Sequence, residues 1–142
     1  MDDAELISSL ECCTLAESAF GHANHVRVGY LYLRRFEFSQ AISLMAKALR
    51  AYAAAHGKEG LYHETITVAF IALINERLTR GGDQGGWAAF AAANADLLDK
   101  NILSRYYRPE TLQSPIARKV FILDERSPSP CDAGGGIREP HS

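Results

Sequence analysis

Apolar residues recur along this chain at three- and four-residue steps, the spacing that gathers them on one face of an α-helix. In residues 2–13, Leu6, Ile7 and Leu10 form such a stripe. A second runs from about Asn24, or slightly before it, to Arg35, with Val26, Gly29, Tyr30 and Leu33 on one side. Ser39 suits the N-cap of an alanine- and leucine-rich helix from Gln40 to His56, which Gly57 would stop. Residues 62–80 carry the longest pattern, through Ile66, Phe70, Ile74 and Leu78. The β-branched run Thr65-Ile66-Thr67-Val68 favours a strand locally, but the helical period persists over four turns, so a helix is expected. Thr14 and Glu17 have the spacing of a capping box.

Shorter helical pieces are expected at Trp87–Ala93, from Asp96 through Leu103 to Tyr107, from Pro109, and after Ser114-Pro115. The glycine-rich stretch 81–86 reads as a flexible surface loop. From Asp124 the chain holds Ser-Pro-Ser-Pro and Gly-Gly-Gly with almost no apolar residue, too little to offset the entropy of ordering it. The expectation is an all-α fold: a small helical bundle with short C-terminal helices over residues 1–123, and a disordered tail over 124–142.

Composition changes this picture little. At 142 residues, 47% hydrophobic and 23% charged, the chain suits one domain with its own core. A net charge of −2, without a basic block, gives no reason to expect nucleic acid. No segment approaches the roughly 18 uninterrupted apolar residues of a membrane span. Three cysteines, two of them adjacent (Cys12 and Cys13) and one in the tail (Cys131), make no disulfide framework and point to a reducing cytoplasm. Cys12 and Cys13 read as packing residues. The acidic start, Met1 to Glu5, does not resemble a secretory signal.

The candidate chemistry lies in histidines. His22 and His25, three residues apart, share the apolar stripe of the second helix, and His63 falls on the stripe of Ile66, Phe70 and Ile74. If residues 40–56 are a return stroke, the helices on either side run parallel and their N-terminal ends meet. Three converging imidazoles would then form an open site for a divalent transition metal such as iron, zinc or copper. Glu64 and Tyr62 stand at its edge as candidates for proton transfer. Arg27, Arg105 and Tyr106 are candidates for orienting an anionic group. Arg77 is too far along its helix to join the site and reads as half of an ion pair, while His56 reads as solvated.

The segments Phe20-Gly-His-Ala-Asn-His-Val-Arg27, Tyr62-His-Glu-Thr65 and Ser104-Arg-Tyr-Tyr107 resemble a family of short uncharacterised bacterial proteins. Its pattern is Phe-x-His-x-x-His-x-Arg, then Tyr-His-x-Thr, then a leucine-rich region ending Tyr-Tyr. The resemblance spans residues 15–123 and implies that the three histidines belong to a shared pattern; it implies no activity. Three readings follow. The first is a small metal-dependent enzyme acting on a polar or anionic small molecule. The second is a metal-free helical enzyme or small-molecule binding module using the same histidines. The third is a protein-interaction domain with structural histidines, and a homodimer is compatible with the sequence.

Overall fold

A computed structural model of the chain describes residues 1–81 and 85–125. Half of the expected glycine-rich loop (82–84) and nearly all of the expected tail, Cys131 included, lie outside the described residues. Among the described residues the regular structure is helical throughout, as the apolar period requires: α1 (Asp3–Glu11), α2 (His22–Arg35), α3 (Phe38–Ala55), α4 (Glu64–Gly81), α5 (Gly86–Ala93), α6 (Pro109–Gln113) and α7 (Pro115–Lys119). Single 3₁₀ turns at Glu17–Ala19, Glu59–Leu61, Ala95–Leu98 and Ile102–Arg105 join them.

Helix starts differ from the sequence reading where side chains find better partners. Thr14 and Glu17 form no capping box: the Thr14 hydroxyl donates to the Ser9 carbonyl, and only a 3₁₀ turn follows. The third helix begins two residues before the expected Gln40, because the Glu37 amide donates to the side chain of Gln40 at 3.3 Å. Ser39 is therefore inside the first turn and not its cap. Cys12 is exposed and Cys13 half-exposed, so neither is the packing residue expected. Cys13 instead ends α1 in the left-handed region (φ 61°), letting Thr14 N–H reach back to the Ser9 carbonyl at 2.8 Å.

Two apolar clusters flank a central pair of helices. Leu6 and Leu10 of α1 pack with Ala41, Met45 and Tyr52 of α3 on one side. Phe90 of α5 packs with Leu97, Ile102, Leu103 and Tyr107 on the other. α2 and α4 feed both clusters: Val28, Tyr32 and Ile71 go to the first, and Val26, Tyr30, Ala69, Leu73 and Ile74 to the second. Gly29 is buried where the pair touches, and a Cβ there would stand 3.0 Å from the ends of both Ile71 and Ile74.

The C-terminal segment is tied back onto the start of α4. The Thr65 hydroxyl donates to the Val120 carbonyl at 2.9 Å and accepts from Ile122 N–H at 3.1 Å, and the Tyr107 hydroxyl donates to the Ile122 carbonyl. Asp124, the expected beginning of the tail, accepts from Arg108 N–H at 2.6 Å, from the Arg108 guanidinium at 3.0 Å and from the Thr111 hydroxyl at 2.8 Å.

Because two buried isoleucines already meet the Cα of Gly29, a side chain there overpacks the helix pair. Gly29→Leu is expected to lower the free energy of unfolding by about 1–3 kcal/mol. Urea denaturation followed by circular dichroism measures it.

Candidate functional site

α2 and α4 run in the same direction. His22, His25 and Val26 face Ile66, Thr67 and Phe70 around one small chamber, and one turn on, Gly29 faces Ile71 and Ile74. The N-terminal ends of the two helices therefore lie side by side, the condition on which a three-histidine site depended. The imidazoles nevertheless go separate ways.

His63 is the residue before α4, and its ring Nδ1 accepts from Ile66 N–H at 3.2 Å, three residues on, in the manner of an N-cap. With Nδ1 an acceptor, the proton sits on Nε2, which donates to the Leu112 carbonyl at 2.7 Å. Both nitrogens are used, and no lone pair remains for a metal. His22 opens α2; its Nε2–H donates to the Leu97 carbonyl at 3.0 Å and its ring meets the edge of Phe70 at 4.9 Å, on the side of the second cluster. Among the described residues, no group of three or more His, Cys, Asp or Glu could hold a metal ion. The expected metal-dependent enzyme built on His22, His25 and His63 is therefore set aside.

His25 differs from the other two. Its ring stacks on Phe20, centroids 3.9 Å apart, and makes no hydrogen bond among the described residues. Burial, with a smaller contribution from His22, pushes its pKa down from 6.5 to about 4, so the imidazole is neutral at physiological pH with one donor and one acceptor unspent. It stands between two spaces: a cleft of about 380 Å³ open to the surface, and an inner chamber of about 70 Å³ bounded by α2, α3 and α4.

The cleft lies between the C-terminal end of α3 and the start of α4. One wall is a run of rings in which Phe20 meets Tyr52 edge-on at 5.1 Å and Tyr52 meets His56 at 4.2 Å. Leu49, Leu61 and Ile66 add apolar surface, and Lys58 stands at the rim, paired with Glu17 at 2.7 Å. The polar wall groups are largely spent: the Tyr52 hydroxyl donates to the Leu15 carbonyl, and His56 Nδ1–H to the Tyr52 carbonyl.

Of the expected proton-transfer pair, Tyr62 lines the cleft and donates its hydroxyl to Glu64 at 2.5 Å. Burial first, and the Glu64 contact second, push the Tyr62 phenol up to about 12. It stays protonated near neutrality. Glu64 also faces the Arg50 guanidinium at 3.5 Å.

None of the three residues expected to orient a substrate borders the cleft. Arg27 binds Asp3 at 2.6 Å and the Met1 carbonyl at 3.1 Å, fastening α1 to α2. Arg105 and Arg77 share Asp96, at 3.1 and 2.7 Å, and hold that carboxyl well below its usual range. Tyr106 lies on a separate surface groove beside Phe121 and Leu123. An arginine in a predicted helix shows its charge in sequence but not its partner.

Sequence reasoning missed Tyr52, Lys58 and Leu49 as cleft residues and left His56 to solvent. For His56 a signal was present: Tyr52 precedes it by four residues, one turn away on the same face. No family model, curated protein or solved structure matches the chain.

Two outcomes are expected. His63→Ala removes the N-cap of α4 and a tie to α6, costing about 1–3 kcal/mol of unfolding free energy, and His63→Asn, which keeps a capping oxygen, recovers part of it. For His25, the unfolded chain takes up a proton near pH 6.5 that the folded protein refuses until about pH 4. Stability therefore falls as pH drops through this window, by about 3 kcal/mol, and is unaffected by His25 above it. Urea titrations at pH 7.5 and 4.5 should show a smaller difference for His25→Gln than for the wild type.

Proposed function

We propose that this chain is a metal-free binding module for a small molecule that is largely apolar and carries a hydrogen-bonding group where it meets His25. The observation that supports this reading is His25: a half-buried, neutral imidazole without a hydrogen-bond partner among the described residues, at the edge of an apolar cleft of about 380 Å³. Among the described residues no sealed side-chain nitrogen or oxygen lacks a partner, so the unbonded His25 ring nitrogens are open to the cleft and a ligand group can take the place of water on them. Apolar and aromatic walls with one convergent polar group are the usual composition of a small-molecule site.

Binding without turnover fits the neighbouring groups. The phenol of Tyr62, held near pKa 12 and bonded to Glu64, is a poor proton-transfer partner at neutral pH, and Glu64 is already shared with Arg50. The aromatic stack of His25, Phe20 and Tyr52 supplies a rigid face for a planar or alkyl body.

The neutral fluorophore N-phenyl-1-naphthylamine tests the cleft. Saturable fluorescence enhancement is expected with the wild-type protein. Ala53, half-exposed on the α3 wall, can be enlarged without disturbing the core. Ala53→Trp should weaken the probe by about tenfold or more, equivalent to about 1.4 kcal/mol. Equal binding by Ala53→Trp, with its circular dichroism and Tm unchanged, would place the probe elsewhere and overturn the reading.

A further inference from the structure

The rim of the cleft carries positive charge that its apolar interior does not explain. Tyr62 is a wall of two spaces: the cleft on one side, and on the other an open hollow of about 460 Å³ bordered by Arg50, Arg118, Lys119 and a single acid, Glu59. Two elements deliver these cations to one place. Arg50 comes from α3 and lies over the Tyr62 ring, 4.6 Å from its centroid. Arg118 and Lys119 end α7, and the Arg118 guanidinium is tied by one N–H to the Gly60 carbonyl at 3.1 Å.

Glu64 partly neutralises Arg50 at 3.5 Å, but neither Arg118 nor Lys119 has a carboxylate partner among the described residues. Elsewhere the arginines that the sequence suggested for anion binding, Arg27 and Arg105, are each closed by an aspartate. In a chain of net charge −2, this is a local excess of cation placed beside a cleft walled by the rings of Phe20, Tyr52 and His56. Two cations at the last turn of a helix also favour its carbonyl end, which accounts for their presence on α7 but not for Arg50 converging on them.

We propose that the ligand of the cleft is an organic acid that carries a carboxylate besides the group bonded to His25: its apolar body lies in the cleft against the rings of Phe20 and Tyr52, and the carboxylate crosses Tyr62 to Arg118, Lys119 and Arg50. The inference rests on the cleft being a binding site and names the ligand class it takes. Arg118, with one N–H spent on Gly60, keeps the rest of its planar fork for paired bonds to a carboxylate, and Lys119 and Arg50 add charge without needing a fixed geometry.

The test compares decanoate with 1-decanol, equal in chain length and different in charge, as competitors of N-phenyl-1-naphthylamine at pH 7.5 and low salt. Decanoate should compete about tenfold more strongly than decanol, as expected for several exposed ion pairs acting together. The preference should shrink at 0.5 M salt and fall to about one in Arg118→Ala/Lys119→Ala. Equal competition by the two compounds on the wild type, with the fluorophore still displaced, overturns the acid and leaves the cleft. A preference that survives in the double variant also overturns it, because the charge would then be recognised elsewhere. If the fluorophore does not bind, isothermal titration of decanoate decides: binding that the double variant loses supports the acid, and no heat overturns both readings.

Discussion

Gly29 is the point at which α2 meets α4, and most of what the protein can do follows from that contact. With no side chain in the way, the two helices approach until the δ-methyls of Ile71 and Ile74 fill the space a Cβ would occupy. At that distance each helix must be apolar on two sides, because clusters lie both toward α1 and α3 and toward α5 and the C-terminal turns. The same contact aligns the pair in one direction and sets their N-terminal ends next to each other. The cleft opens at those ends, beside the C-terminal end of α3.

At that junction three histidines are sorted by how many of their nitrogens the fold consumes. His63 gives both, one to start α4 and one to hold the Leu112 carbonyl. His22 gives one, to the Leu97 carbonyl, and turns toward the second cluster. His25 gives none, and burial against Phe20 keeps it uncharged. The residue type that suggested a metal thus performs three tasks here: capping a helix, bridging to a loop, and leaving a polar group at an apolar surface. An imidazole whose nitrogens are bonded to backbone cannot also coordinate, so the structural tasks and the expected metal compete for the same lone pairs.

The charged residues divide similarly. Arg27, Arg77, Arg105 and Arg108 fasten one element to another through aspartates, and Asp96 and Asp124 are held in their ionised forms by those contacts. Among the described residues Arg118 and Lys119 lack such closure. The distinction depends on where an acid from a distant stretch of chain arrives, for example Asp96 reaching Arg77 across 19 residues.

By itself the sequence determined the helices and their order. The three- and four-residue period of Val26, Tyr30, Leu33 and of Ile66, Phe70, Ile74 is a local property, and each helix buries whichever face carries it. It also placed Gly29 on the apolar stripe of the second helix and marked the histidines as the unusual polar residues of the apolar stripes. Only the tertiary structure decided which ring nitrogens were spent, which arginines were paired, and that the Tyr52 and His56 rings wall a cleft. Those outcomes depend on carbonyls supplied from 49 or 75 residues away, as Leu112 is to His63 and Leu97 is to His22, and on carboxylates from 19 or 24 residues away, as Asp96 is to Arg77 and Asp3 is to Arg27. A helical pattern fixes the face on which a side chain lies; the partner it meets is fixed by packing, and for His25 packing supplied a stacked ring, a cleft and no partner.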